Sequence, residues 1–92
     1  MSPSCPLHVK LSGTSITNGV RLETSQATSE DWYIYMPSTD NLVFRNDSSD
    51  YVTFEKNTGS VGIGTTTPAY DLDVNGDIRA RGSVYFDIFI VI

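Results

Sequence analysis

The sequence predicts an all-β fold of short antiparallel strands and hairpins. No window of about 11 residues shows the apolar spacing of an amphipathic helix, whereas alternation of apolar and polar residues recurs along the chain. Aromatic and β-branched residues are plentiful, and Ser, Thr, Asn, Asp and Gly fill the gaps between the short apolar runs. We therefore expect almost no helix.

Turn-forming residues divide the chain into short segments, as expected for strands joined by tight connections. Turn signals occur at 17–19, 37–40, 46–49, 57–59 and 75–76. The predicted strands are Leu7–Leu11, Val20–Glu23, Asp31–Met36, Asn41–Arg45, Tyr51–Lys56, Ser60–Ile63, Asp71–Val74, Asp77–Ala80 and Ser83–Ile92.

The sharpest local signal is the dipeptide Asn75-Gly76, which separates two alternating segments. Both residues tolerate the positive φ that a type I′ turn requires, so a hairpin with Asn75 and Gly76 at its turn is predicted. Its inward side chains would be Leu72, Val74, Ile78 and Ala80.

A short internal repeat relates the two ends of the chain. Pro3, Leu7 and Val9 have the same spacing as Pro68, Leu72 and Val74, with an offset of 65 residues. The chain is therefore interpreted as one module over 1–92, in which a unit at 3–67 is followed by the start of a second at 68–92.

Charge and composition argue against several classes of partner. The net charge is −5 and the six basic residues are scattered, whereas nucleic-acid binding needs a basic stripe. The single cysteine excludes an internal disulfide, and the first residues lack the basic and apolar stretches of a secretory signal. The apolar run from Val84 to Ile92 is shorter than the roughly 20 residues of a membrane helix, so no membrane insertion is expected.

Self-association is expected from the size of the chain. A domain of 92 residues buries only about 60–65% of the surface that its unfolded form exposes, so its own core is small. Several copies around an axis can share one core and cover each other's strand edges, including the apolar end of the chain.

One motif points to a known family. The run Gly59–Pro68, which contains VGIGTTTP, and the run Leu72–Ala80, LDVNGDIRA, closely resemble the "VGIGTTxP…LDVNGxIRA" repeat of bacteriophage tail fibres, fibres of large viruses and some bacterial surface proteins. The upstream segments Val20-Arg21-Leu22, Trp32-Tyr33-Ile34-Tyr35, Asn41-Leu42-Val43-Phe44-Arg45 and Val52-Thr53-Phe54 are similar to the strands that precede the repeat, so the resemblance covers roughly residues 3–84.

The resemblance implies an elongated, intertwined, homotrimeric β-structure at a virion surface or in an extracellular appendage. Family chains continue into a receptor-binding tip or a self-cleaving chaperone, and neither activity is carried over because this sequence stops before such a part. For the oligomer core we expect Leu72, Val74, Ile78, Phe86, Ile88 and Ile90.

Chemical motifs each have a simpler structural interpretation. Asp71, Asp73 and Asn75 match the opening of a calcium loop, but the twelfth position is Gly82 and the alternation is that of a strand. Gly62-Ile63-Gly64 lacks the rest of a dinucleotide fingerprint. Cys5 and His8 lack an orienting carboxylate, and they provide too few ligands for zinc unless three copies share a site. No catalytic, cofactor or metal site is predicted.

Two functions follow from these features. The first is a non-enzymatic structural segment of a virion fibre, tail fibre or spike, which spaces or anchors a distal tip and contacts itself and other fibre proteins. The alternative is a module that binds a host-surface glycan or protein, with Trp32, Tyr33 and Tyr35 as ligand contacts. Alternation places Trp32 on the face opposite the two tyrosines, so one side of this strand must be core.

Overall fold

The computed structural model describes residues 5–25 and 31–87, and its strands form one sheet. A short 3-10 helix, Ile16–Asn18, precedes six strands in the order β1-β2-β3-β4-β5-β6 across the sheet. The strands are β1 Val20–Leu22, β2 Trp32–Tyr35, β3 Leu42–Asn46, β4 Asp50–Phe54, β5 Val61–Ile63 and β6 Leu72–Val74. The all-β prediction is confirmed, and each of these strands overlaps a predicted one.

The first five strands form an antiparallel meander whose turns carry the chemistry that the sequence indicates. At the β3–β4 turn the Asn46 side-chain oxygen accepts hydrogen bonds from the Ser48 and Ser49 amides, at 3.0 and 3.2 Å. At the β4–β5 turn Asn57 and Gly59 have φ of 74° and 73°, values that Asn and Gly tolerate better than other residues.

The predicted hairpin at Asn75-Gly76 is wrong. β6 pairs in parallel with β5, with Val61 opposite Leu72 and Ile63 opposite Val74. The Asn75 amide donates to the Ile63 carbonyl at 2.9 Å, which extends this parallel pairing by one residue. Asp77–Ala80 forms no strand, although Gly76 does have a positive φ of 151°.

Leu7–Leu11 forms no strand of the sheet, and neither do residues 83–87, the described part of the last predicted strand. Residues 88–92, which include the predicted core residues Ile88 and Ile90, lie outside the described part of the chain. We call residues 76–87, which follow β6, the arm.

The parallel pair requires a connection that crosses the sheet, and residues 64–71 form it. Gly62 lies beneath this crossover: a Cβ built there would be 2.4 Å from the Thr65 carbonyl oxygen. Gly64 begins the crossover with φ 76°, and its amide donates to the Tyr51 carbonyl at 2.9 Å. The glycines of the motif therefore permit close approach of the crossover backbone to the sheet. In the described residues, no helix is long and apolar enough to cross a membrane.

Candidate functional site

One face of the sheet is covered by the chain itself. Side chains of directly opposed strand residues lie on the same face, and the register places Tyr35, Val43, Thr53 and Gly62 in one row across four strands. The crossover lies over the end of this row. Val43 and Thr53 are each only 1% exposed, so this covered face contains the small core of the single chain.

A polar cluster lies on the covered face beside that core. The Tyr35 hydroxyl and the Arg45 guanidinium both donate to Asp50 Oδ1, each at 2.9 Å. Burial, followed by the hydrogen bond to Asp50, raises the pKa of Tyr35, and the hydrogen bond to Asp50 raises the pKa of Arg45. The cluster ties β2, β3 and β4 together and keeps the tyrosine protonated and the arginine charged.

A second ionic contact lies on the same face, at the β1 edge of the sheet. Arg21 of β1 donates through Nε to Asp31 at 2.7 Å, and the Asp31 side chain is largely buried. The hydrogen bond to Asp31 raises the pKa of Arg21, and burial raises the pKa of Tyr33 beneath it. Arg21 also donates to Glu23, so one guanidinium pairs with two carboxylates at this end of the sheet.

A cavity of about 210 Å³ lies between the covered face and the crossover. Thr39, Val43, Asp50, Thr53, Thr66 and Thr67 contribute to its lining. The Thr53 hydroxyl is buried there with no hydrogen-bond partner among the described residues. An ordered water would satisfy it, since a polar site of this size has room for one.

The opposite face of the sheet is apolar and uncovered. The register alternates Val43 with Leu42 and Phe44, so these two neighbours point to the other side. Opposed residues extend that row to every strand. We call this the apolar face. Its apolar members are Val20, Leu22, Trp32, Ile34, Leu42, Phe44, Val52, Phe54, Val61, Ile63, Leu72 and Val74, with Tyr51 beside Trp32, and the buried polar Asn46 lies opposite Trp32 in the same row.

The apolar face combines aromatic packing with a lack of charge. The rings of Phe44 and Phe54 are 5.8 Å apart and tilted by 60°, and those of Trp32 and Tyr51 are 5.7 Å apart. All four side chains remain more than a third exposed, with Trp32 at 47%. Large contiguous exposed apolar patches mark interaction sites, so this face is the candidate interaction surface of the chain.

The predicted aromatic ligand surface is divided between the two faces. Tyr33 and Tyr35 are buried on the covered face, whereas Trp32 is exposed on the apolar face. The three side chains therefore form no common platform. Trp32 has Tyr51 as its aromatic neighbour instead, which the sequence did not indicate because a bulge between β3 and β4 places Tyr51 there.

The predicted oligomer-core residues lie in two places. Leu72 and Val74 lie on the apolar face, at the β6 edge of the sheet. Ile78 and Phe86 lie on the arm and are 73% and 82% exposed. Sequence reasoning missed Phe44 and Phe54 as members of the same surface, although the alternation of each strand contained the signal.

The other candidate motifs are structural in the described residues. No group of His, Cys, Asp or Glu there is placed to hold a metal ion. In the calcium-like run, an Asp73 oxygen accepts a hydrogen bond from the Ala69 amide at 2.9 Å. Cys5 is exposed and its thiol donates to the Leu7 carbonyl, while His8 is also exposed.

No protein-family model matches the chain, and no curated protein matches it. The apolar face is therefore interpreted from its own geometry.

Proposed function

We propose that this chain is a non-enzymatic structural segment of a virion fibre, tail fibre or spike, which associates with copies of itself as an intertwined homotrimer and spaces or anchors a distal tip. The observation that carries the proposal is the apolar face. It extends over all six strands of the sheet and contains no charged residue.

The distribution of polarity between the two faces supports self-association. The covered face buries few apolar side chains, chiefly Tyr33, Tyr35 and Val43, and is otherwise lined by hydroxyl, amide and charged groups. The larger apolar surface is on the uncovered side. Because burial of apolar area is the main favourable term in association, a partner on this face adds more apolar burial than the single chain achieves.

The resemblance of the 59–80 region to fibre repeats supports the same proposal from the sequence side. The glycine-rich crossover and β6 are the parts of the fold that this motif forms. They position Leu72 and Val74 at the edge of the apolar face. A module that extends an assembly along one axis needs such an uncovered surface on every copy.

The mass of the assembly in solution tests the proposal. Light scattering coupled to gel filtration should give three times the 10.1 kDa chain at micromolar concentration. Phe44→Asp places a charge in the centre of the apolar face and should dissociate the assembly. Lys56→Asp, at an exposed turn residue, is the control and should leave the mass unchanged. A folded wild-type monomer would contradict the proposal.

Glycan binding remains a second candidate because Trp32 and Tyr51 are adjacent and exposed. Aromatic faces stack on the apolar faces of sugar rings. If this pair binds a host-surface glycan, Trp32→Ala should abolish attachment of the parent fibre without altering the melting temperature or the mass of the assembly. If the pair is buried between copies, the same substitution should lower the stability of the assembly.

A further inference from the structure

The arm follows the sheet and exposes several apolar side chains. Residues 76–87 make no hydrogen bond or ion pair with another described residue. Yet Ile78, Val84, Tyr85 and Phe86 are all more than half exposed. Apolar side chains in such number on an unpaired segment indicate that something else covers them.

The chain does not place the arm on its own apolar face, since Ile78 and Phe86 remain exposed. Each copy therefore presents one uncovered apolar face and one uncovered apolar arm. We propose that the arm of one copy lies across the apolar face of a second copy. This inference rests on the proposed function and specifies how the copies make contact.

The length of the arm fits this contact. If fully extended, the ten Cα–Cα steps from residue 76 to residue 86 span about 33 Å. Six strands at a spacing of about 4.8 Å make a sheet about 24 Å wide. An arm that leaves the β6 edge of one copy can therefore reach across every strand of the next.

The side-chain pattern of the arm fits the contact as well. In an extended conformation Ile78 and Ala80 point to one side, and Asp77, Arg79 and Arg81 point to the other. The first side matches the uncharged apolar face, while the charged side stays in water. Val84, Tyr85 and Phe86 add a second apolar group further along the arm.

The proposed contact joins two different surfaces, so it is heterologous and directional. Heterologous contacts generate a ring when the rotation between copies closes. In a closed ring every arm covers one face and every face receives one arm, so no apolar surface remains for further growth. A face-to-face contact between two copies would instead leave both arms exposed.

Two full-length variants test whether the arm of one copy binds the apolar face of another. In the arm variant Ile78→Asp is combined with Phe86→Asp, and in the face variant Leu22→Asp is combined with Ile63→Asp; all four positions are well exposed in the single chain. Each variant alone should be monomeric. Their mixture should form a heterodimer, because the face variant retains an intact arm and the arm variant retains an intact face.

The control is Ser83→Asp, which adds charge to the exposed arm without removing an apolar side chain. It should assemble like the wild type. If the arm variant assembles like the wild type, the arm does not bind the apolar face of a second copy. The same follows if the mixture of the two variants stays monomeric. Neither result would contradict the proposed function. A monomeric wild type would overturn both the arm contact and the proposed function.

A disulfide experiment keeps the inference testable if circular dichroism shows that the face variant has lost its strands. Cys5→Ser removes the native thiol, and Ala80→Cys, on the apolar side of the arm, or Tyr51→Cys, on the apolar face, then introduces one thiol. Mixed chains of different mass should form mainly arm-to-face disulfides under mild oxidation. A predominance of disulfides between two Tyr51→Cys chains would contradict the proposal.

Discussion

The two faces of the sheet differ although the same strands form both. On the covered face, the crossover shields Val43 and Thr53, which are almost inaccessible. On the apolar face, Phe44 and Trp32 are large and uncharged but uncovered. The covered face therefore contains the core of the single chain, whereas the apolar face is the surface on which the proposed self-association depends.

The largest expected difference in stability is between substitutions at two adjacent residues that lie on opposite faces of the sheet. Val43 is 1% exposed and Phe44 is 36% exposed. Val43→Asp should unfold the chain, because burial of an unpaired carboxylate costs more than the few kcal/mol that separate folded from unfolded states in a small domain. Phe44→Asp should dissociate the assembly and preserve the strand signal in circular dichroism. If both variants lost the strand signal equally, the two faces would not differ in their contribution to the fold of the single chain.

The next largest loss of stability is expected from a substitution beneath the crossover. Gly62→Ala places a Cβ 2.4 Å from the Thr65 backbone oxygen, so the crossover must move, at a cost of about 1–3 kcal/mol. Gly82→Ala, on the arm, meets nothing within 4 Å and should change the free energy of unfolding by less than about 0.5 kcal/mol. Urea denaturation of both variants measures the difference. A stable Gly62→Ala would show that the crossover does not press on the covered face.

The polar cluster predicts a loss of stability at alkaline pH. Burial, followed by the hydrogen bond to Asp50, raises the pKa of Tyr35 above its unfolded value of 10.0. Above about pH 10 the unfolded tyrosine loses its proton while the folded one retains it, so the stability that is present below pH 10 declines as the pH rises through the folded pKa.

Urea midpoints between pH 8 and about 11 test this decline. Tyr35→Phe should flatten it and should also cost about 0.5–1.5 kcal/mol at neutral pH, because the hydrogen bond to Asp50 is lost. Tyr85→Phe, which removes an exposed hydroxyl from the arm, is the matched control and should leave the pH dependence as it is in the wild type.

The smallest effect is expected at the exposed ion pair between Lys56 and Asp40, whose nitrogen and oxygen are 3.3 Å apart. Both side chains are well exposed, and exposed pairs contribute about 0–1 kcal/mol. Lys56→Ala should therefore change the urea midpoint little at any salt concentration. A large change would mean that the turns next to the covered face contribute more to stability than its core.

The sequence by itself determined the all-β class, the turns that join β2 to β5 and the positions of six strands, because alternation and turn chemistry act over a few neighbouring residues. The pairing partner of β6 was decided only by tertiary structure. Asn75-Gly76 permits a tight hairpin, but β6 pairs in parallel with β5, a strand 11 residues earlier in the chain, and residues 77–80 do not return along β6.

Tertiary structure also decided which face of the sheet is covered. Leu42, Val43 and Phe44 are all apolar, so the pattern of β3 does not say which side faces the core. The decision depends on Gly62, whose missing side chain lets the crossover lie against one face and not the other. Apolar residues lie on both sides of β3, and the path of residues 64–71 decides which side stays uncovered.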